Sequence, residues 1–285
     1  HDSDRRVIKE DYLVRAAERM DQLFNYPSWP SYEPGGFYND GHGYGTYGGP
    51  QEFIFAYAYE RVTGKRLITD GPAYRVPLFF GYAHTTEGGL PNYGDNTQKP
   101  GTAAGDSDQY YTSRMPPYSL IPVSMSHDPV WKWFWTFSNG QRGNQYGYYP
   151  HFFIALFYPE DVQAKNPESL RMSYSRFFPD HSGRGGYVAF RSSWDEVDAV
   201  TAWMINRYEP TGHTHYDPNS FSLTAYGDRF YVDDQAQPYA SATKGYIDEH
   251  NTIMTDNRNL PTARDSYVEQ FSKRGELVGL TSGSG

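Results

Sequence analysis

Gly212-His213-Thr214-His215-Tyr216-Asp217-Pro218-Asn219-Ser220-Phe221 is the stretch on which the reading of this chain turns. It sets two histidines, an aspartate and an asparagine directly before a run that alternates in the strand manner, Ser220 to Tyr226. Gly227-Asp228 then offers a turn, and Arg229 to Asp234 a return strand, so a hairpin would carry Asp233 back towards His215. A third segment, His250-Asn251-Thr252-Ile253-Met254, supplies another histidine. Neutral imidazole and carboxylate suit zinc, so His215, Asp233 and His250 form a candidate metal set with a water or substrate group as fourth ligand. Histidines hydrogen-bonded at a sheet edge would give the same spacing, and on the residues alone both readings stand. His213 is one strand repeat from His215, so an extended segment would face both rings to one side.

Around this corner, further strands are expected at 186–193, 199–207, 267–271 and 276–280. The preceding part reads as helical. Val7, Ile8, Tyr12, Leu13, Ala16, Met20 and Leu23 recur at helical spacing, predicting a helix over 3–25. Pro50 opens another over 51–63, stopped by Gly64. Others are expected over 74–83, 117–125, 129–137 and 147–157. The alternating Trp131, Trp133 and Trp135 fit either a helix or an aromatic wall. Helices first and strands second predict two domains, 1–172 and 173–285.

Two polar glycine loops interrupt the helical part. Gly35 to Gly49 is too glycine-rich for a helix interior and is expected to let backbone approach a ligand closely. It carries Asn39, Asp40, His42 and Tyr44, polar groups suited to an anionic partner. Glu87 to Asn96 is the second, with Asn92-Tyr93-Gly94-Asp95 able to present the Tyr93 hydroxyl. Taken alone, the first loop reads more readily as a connection made of ordinary turn residues, and Tyr93, one of 27 tyrosines, as a ring packed over a turn.

Bulk properties narrow the function. The chain has 285 residues, 18% aromatic including 27 Tyr, and a net charge of −9. Tyrosine at this level fits a wide polar cleft of the kind carbohydrates need. The acidic balance without a basic tract argues against nucleic acid. The absence of cysteine removes disulfides and thiolate metal sites. No apolar run has the length of a membrane span. No nucleophile elbow, phosphate loop or dinucleotide fingerprint is present. The chain starts at His1 and ends in Thr-Ser-Gly-Ser-Gly after an expected inner strand, so it reads as a mature or excised piece with an abbreviated β domain.

Gly-Gly-Tyr-Val-Ala-Phe-Arg-Ser-Ser-Trp (185–194), the His213–His215 stretch with its Val-Asp-Asp continuation, and His-Asn-Thr-Ile (250–253) together resemble the heparinase II/III family of polysaccharide lyases. Gly-Phe-Tyr-Asn-Asp-Gly-His-Gly-Tyr (36–44) and Leu-Pro-Asn-Tyr-Gly-Asp (90–95) resemble the family's two catalytic loops more loosely. The resemblance implies an α+β multidomain fold, an incomplete (α/α) toroid followed by an antiparallel β-sandwich, with the site in the cleft between. It implies β-elimination on a uronate-containing acidic polysaccharide and a secreted or periplasmic setting. Tyr93 is then the proton carrier. Asn39, His42 and His213 face the substrate carboxylate, with Asp40 standing where the family commonly has Glu. Tyr44, Asn92 and Arg114 are expected to bind substrate, with Arg142 and Arg184 as further candidates for sulfate. One structural zinc is implied at His215, Asp233 and His250, with Asp217 and Asn219 orienting the rings. Two alternatives accompany this reading: a non-catalytic carbohydrate-binding protein on the same scaffold, and a zinc-dependent hydrolase, for which the sequence offers no His-Glu-x-x-His.

Overall fold

The computed structural model describes residues 2–25, 31–39, 42–84, 115–140, 150–183, 185–194, 196, 198–206, 219–231, 266–270 and 279–282. Among the described residues six α-helices come first: α1 (Asp2–Asn25), α2 (His42–Thr63), α3 (Val76–Ala83), α4 (Leu120–Ser126), α5 (Pro129–Gly140) and α6 (Pro150–Phe157). Seven strands, again among the described residues, follow: β1 (Ser175–Pro179), β2 (Gly186–Arg191), β3 (Thr201–Asn206), β4 (Phe221–Ala225), β5 (Asp228–Tyr231), β6 (Ser266–Gln270) and β7 (Gly279–Ser282). The first five form one antiparallel sheet in sequence order, and β6 and β7 pair separately. The order expected from the sequence, helices and then strands, is what the fold shows. Among the described residues no helix is long and apolar enough to cross a membrane.

Three local differences from the sequence reading have physical causes. The first is α2, which begins at His42 rather than after Pro50, so Gly43, Gly45, Gly48 and Gly49 lie inside a helix. Packing outweighs the propensity cost. A Cβ on Gly49 would stand 2.5 Å from Tyr118 Cε1, and one on Gly45 would stand 3.0 Å from Tyr38 Cβ. The glycines make a smooth helix face on which two tyrosine rings lie against the backbone.

The second is the β4–β5 turn. Ala225 pairs with Asp228, so the two-residue loop is Tyr226-Gly227, not Gly227-Asp228. Both loop residues have positive φ, 57° and 77°, the sign pattern of a type I′ turn that matches strand twist. The third is β1, which the sequence reading omits. It pairs along its length with β2, Phe177 opposite Val188.

The tryptophan alternation belongs to a helix. Asp128 Oδ1 caps α5 by accepting from the amides of Val130 (2.7 Å) and Trp131 (3.3 Å). Helical spacing then stacks Trp133 on Phe137, ring centroids 4.6 Å apart, and buries Trp135.

Helices and sheet share one buried cluster. Phe79 of α3 sits at its centre, with ring centroids 5.3 Å from Trp203, 5.4 Å from Phe178 and 5.8 Å from Tyr187 on the sheet, and 5.4 Å from Phe37 on the loop before α2. Tyr82 and Phe134 close on Trp194 at 4.8 and 5.4 Å. Gly81 permits this, since a Cβ there would meet Phe134 at 2.3 Å.

Candidate functional site

Of the residues singled out from the sequence as catalytic, substrate-binding or metal-ligating, Asn39 is the one whose side chain falls within the described part, and Asn219, expected to orient the rings, is described as well. The chain from Ser31 to Asn39 folds back on itself through an antiparallel bridge between Tyr32 and Tyr38. The Glu33 amide donates to the Phe37 carbonyl (2.9 Å), the Gly36 amide to Glu33 (2.7 Å) and the Asn39 amide to Ser31 (2.9 Å). Gly36 takes φ +90°, a conformation open to glycine, and a Cβ there would collide with the Arg75 backbone at 2.6 Å. The Asn39 side chain is left 3% exposed. His42 and Tyr44 follow on the first turn of α2, so these two candidates sit on a helix rather than on a free loop.

This hairpin-like loop is fastened to the sheet. The Gly35 amide donates to the Pro179 carbonyl at 2.7 Å. The wholly buried Glu33 accepts from the His181 amide at 2.6 Å and lies 3.1 Å from His181 Nδ1. Phe37 packs edge-on against Tyr187, 4.6 Å between centroids. Gly186, beside these contacts, pairs with Asn206, the last residue of β3. Ile205 donates to the Ser220 carbonyl at 2.8 Å. The segment carrying His213 and His215 therefore leaves and rejoins the described sheet at the end that holds the Asn39 loop. Asn219, on that rejoining segment, has φ 62°, a left-handed value that asparagine tolerates.

A second departure point lies at the other end of β2. His84, buried at the end of α3, precedes the segment that carries Asn92, Tyr93 and Arg114. Met115 follows it, its amide donating to Ser138 Oγ at 2.8 Å. His84 packs on Phe137 at 5.6 Å, so both flanks of that segment meet α5 at neighbouring residues. Asp40, Asn92, Tyr93, Arg114, His213, His215, Asp217, Asp233 and His250 lie outside the described residues, as do Arg142 and Arg184. The β4–β5 hairpin does bring the chain leading to Asp233 back beside the chain that follows His215, Leu223 pairing with Tyr231.

Sequence reasoning passed over Glu52. Its carboxyl lies on the glycine face of α2, where a Cβ on Gly48 would stand 3.2 Å from the Tyr38 hydroxyl and 3.3 Å from Glu52 Oε1. Burial pushes Glu52 up to about 7, and the facing Tyr32 and Tyr38 hydroxyls offset part of that rise. Burial raises the fully buried Tyr32 well above the ordinary tyrosine value, with Tyr118, Glu52 and Tyr38 adding to it. A glutamate one turn after a helical glycine was the available signal, and it has meaning only once the two tyrosines are placed.

With this geometry in hand, the chain is similar to solved heparinase III structures. A heparinase III gene product matches at TM-score 0.53 and 15% identity over 95% of this chain and 36% of that one. The same product with methylated lysines matches at TM-score 0.50 and 18% identity, over 86% and 34%. A further heparinase III crystal structure matches at TM-score 0.50 and 13% identity, over 82% and 34%. The likeness shows a heparinase-like fold. The chain spans about a third of the length of these structures. No family model matches the chain, and no curated protein matches it by sequence.

Proposed function

We propose that this chain is part of a polysaccharide lyase that cleaves a uronate-containing acidic polymer by β-elimination. The observation that carries the reading is the seating of Asn39 on a loop locked to the sheet end from which the His213 segment departs, within a heparinase-like fold. We read the helices as part of an incomplete (α/α) toroid, the boundary falling near residue 172, and the strands as a β-sandwich portion. A secreted or periplasmic setting goes with the same reading.

In this reading the polymer's uronate carboxylate is neutralised by Asn39, His42 and His213. That makes the C5 hydrogen acidic, because developing enediolate charge is the main barrier and fixed donors in a water-poor site meet it without reorganising. Tyr93 takes the C5 proton and protonates the departing 4-oxygen. Asp40 supports the donors, and Tyr44, Asn92 and Arg114 hold neighbouring sugars. His215, Asp233 and His250 would hold one structural zinc, which would tie three segments of the sheet region together. The elimination itself uses the chain's own side chains.

The 3% exposure of Asn39 also favours a second reading. An amide so shielded could serve the loop alone, in a carbohydrate-binding protein that does not cleave. Incubation with alginate, heparan-type, hyaluronan and ulvan-type polymers separates the two. The lyase reading expects the near-ultraviolet absorbance of an unsaturated uronate from at least one polymer. Binding without that chromophore selects the second reading, and new reducing ends without it point to hydrolysis.

A further inference from the structure

We infer that Glu33 and His181 form a positioning clasp that locks the loop presenting Asn39 to the β1–β2 turn at one fixed angle. The inference rests on the reading of Asn39 as a residue of the substrate cleft. Glu33 is a carboxylate with no exposed surface, and the proposed elimination does not use it. Both of its oxygens are directed at one residue of the β1–β2 turn. Oε2 accepts from the His181 amide at 2.6 Å, and Oε1 lies 3.1 Å from His181 Nδ1. A carboxylate offers acceptors alone, so the network assigns the ring proton to Nδ1. Burying a carboxylate carries a desolvation cost that an apolar pair of similar volume would avoid, and what the carboxylate supplies in return is a contact with direction.

Both sides of the clasp are internally bonded, so it joins two fixed pieces. On the sheet side, the turn is stapled by Asp180, whose amide donates to the Gly185 carbonyl at 2.8 Å and whose Oδ1 accepts from the Ser182 amide at 2.9 Å. On the loop side, Glu33 bonds to Phe37 and Gly36 through its own backbone, and Ser31, two residues earlier, takes the Asn39 amide. A displacement of Glu33 is therefore passed to the strand that faces Asn39. Between the two sides lies Gly35, where a Cβ would stand 2.8 Å from the Phe178 backbone, so the loop rests directly on β1. The Gly35 amide and the Pro179 carbonyl make one point of polar attachment to the sheet, about which the loop could turn. Glu33 and His181, each two residues away along its own chain, make a second point and so fix the angle. Arg75 Nη1 holds the loop tip from the helical side by donating to the Pro34 carbonyl at 2.6 Å.

The test uses the full chain with His181→Leu, His181→Asn and His181→Gln, read by hydrogen exchange and by turnover. His181 is the residue to change because its side chain is 16% exposed, whereas that of Glu33 has no exposed surface. Leucine removes the ring donor. Asparagine sets an amide N–H close to where the Nδ1 proton sits, and glutamine sets one near the position of Nε2. In His181→Leu the Glu33, Gly36 and Asn39 amides should lose about ten-fold in protection while the α5 amides keep theirs. Since a small misplacement of a binding group costs turnover, kcat should fall about ten-fold with KM within about two-fold. His181→Asn should restore both and His181→Gln should not, and the glutamine variant takes the place of leucine if the latter fails to fold. Wild-type protection of the loop in the leucine and glutamine variants overturns the inference. So do an equal loss across α5, which would mark a general stability effect, a loosened loop with unchanged kcat, and an asparagine variant no better than leucine. Absence of unsaturated uronate from the wild type on every polymer would sink the lyase reading, and the exchange data would still decide whether the clasp holds the loop.

Discussion

Arg191, on the last rung of β2, donates to the carbonyl of His84 just beyond α3, 3.2 Å away. The same guanidinium reaches the Gly81 carbonyl at 3.3 Å and that of Trp194 at 3.4 Å, while its Nε donates to Ser193 at 2.9 Å. It lies 4.7 Å above the Trp194 ring. A helix end leaves carbonyls without intrahelical partners and carries partial negative charge, and a buried cation answers both. The sheet thus caps a helix of the preceding part, at the point where the Tyr93 segment begins.

Arg191→Met should therefore cost about 2–4 kcal/mol, since several carbonyls lose a charged donor inside the protein. Arg191→Lys should recover only part, because an ammonium cannot span the fork. Urea unfolding of the three proteins checks the order wild type, Lys, Met.

Glu52 makes stability depend on pH in a direction opposite to that of most carboxylates. Below about pH 4.5 the group is protonated whether folded or unfolded. Between there and about 7 the unfolded chain releases the proton while the folded one keeps it, so stability falls as pH rises, and above about 7 the loss is complete. The gap between the two values corresponds to about 3 kcal/mol. Glu52→Gln should gain most of that at pH 8 and almost nothing at pH 4, as measured by denaturant melts at both.

Gly49→Ala sets helix propensity against packing. Alanine favours a helix by about 1 kcal/mol, but a methyl group 2.5 Å from the Tyr118 ring costs about 1–3 kcal/mol, so the net effect is destabilising. Gly64→Ala is the contrast. Nothing lies within 4 Å of its Cβ position, yet its φ of +74° should still cost about 1 kcal/mol. Thermal melts should show loss in both, with altered near-ultraviolet tyrosine signals in Gly49→Ala alone.

Tyr93→Phe removes the proposed proton carrier and little else. Turnover should drop by about 10²–10⁴-fold, the range general acid–base groups supply, with polymer binding nearly unchanged. Full activity in this variant would remove Tyr93 from the reaction.

Zinc should bind at one ion per chain in a calorimetric titration, and His215→Ala, Asp233→Asn and His250→Ala should each abolish that binding. Retained stoichiometry in all three would place the ion elsewhere or show that it binds adventitiously.

The sequence made the sheet legible where periodicity was strong. Gly186 to Arg191, Thr201 to Asn206 and Phe221 to Ala225 all read as strands because their flanks carry turn residues. β1 escaped notice because Ser-Arg-Phe-Phe-Pro is short and ends in proline, and only its pairing with β2 makes it a strand. The β4–β5 turn lies at Tyr226-Gly227, one residue before the Gly227-Asp228 pair, and tyrosine is a poor advertisement for positive φ. The glycine run before Pro50 misled for a deeper reason. Intrinsic propensity argues against a helix there, and the rings that overrule it, Tyr38 and Tyr118, come from two separate parts of the chain. Glu52 stayed hidden on the same grounds. The candidate site was legible as residue types on loops, and the structure adds the anchorage of one of them, Asn39.

Phe79 bears on how such a protein can be rearranged over evolutionary time. Its ring touches three aromatic side chains of the sheet and one of the loop before α2. A crossover near residue 172 that swapped the strands for another set would leave this ring facing a wall shaped for someone else. The strands and α3 should be inherited as a unit, so changes at position 79 should track changes at 178, 187 and 203.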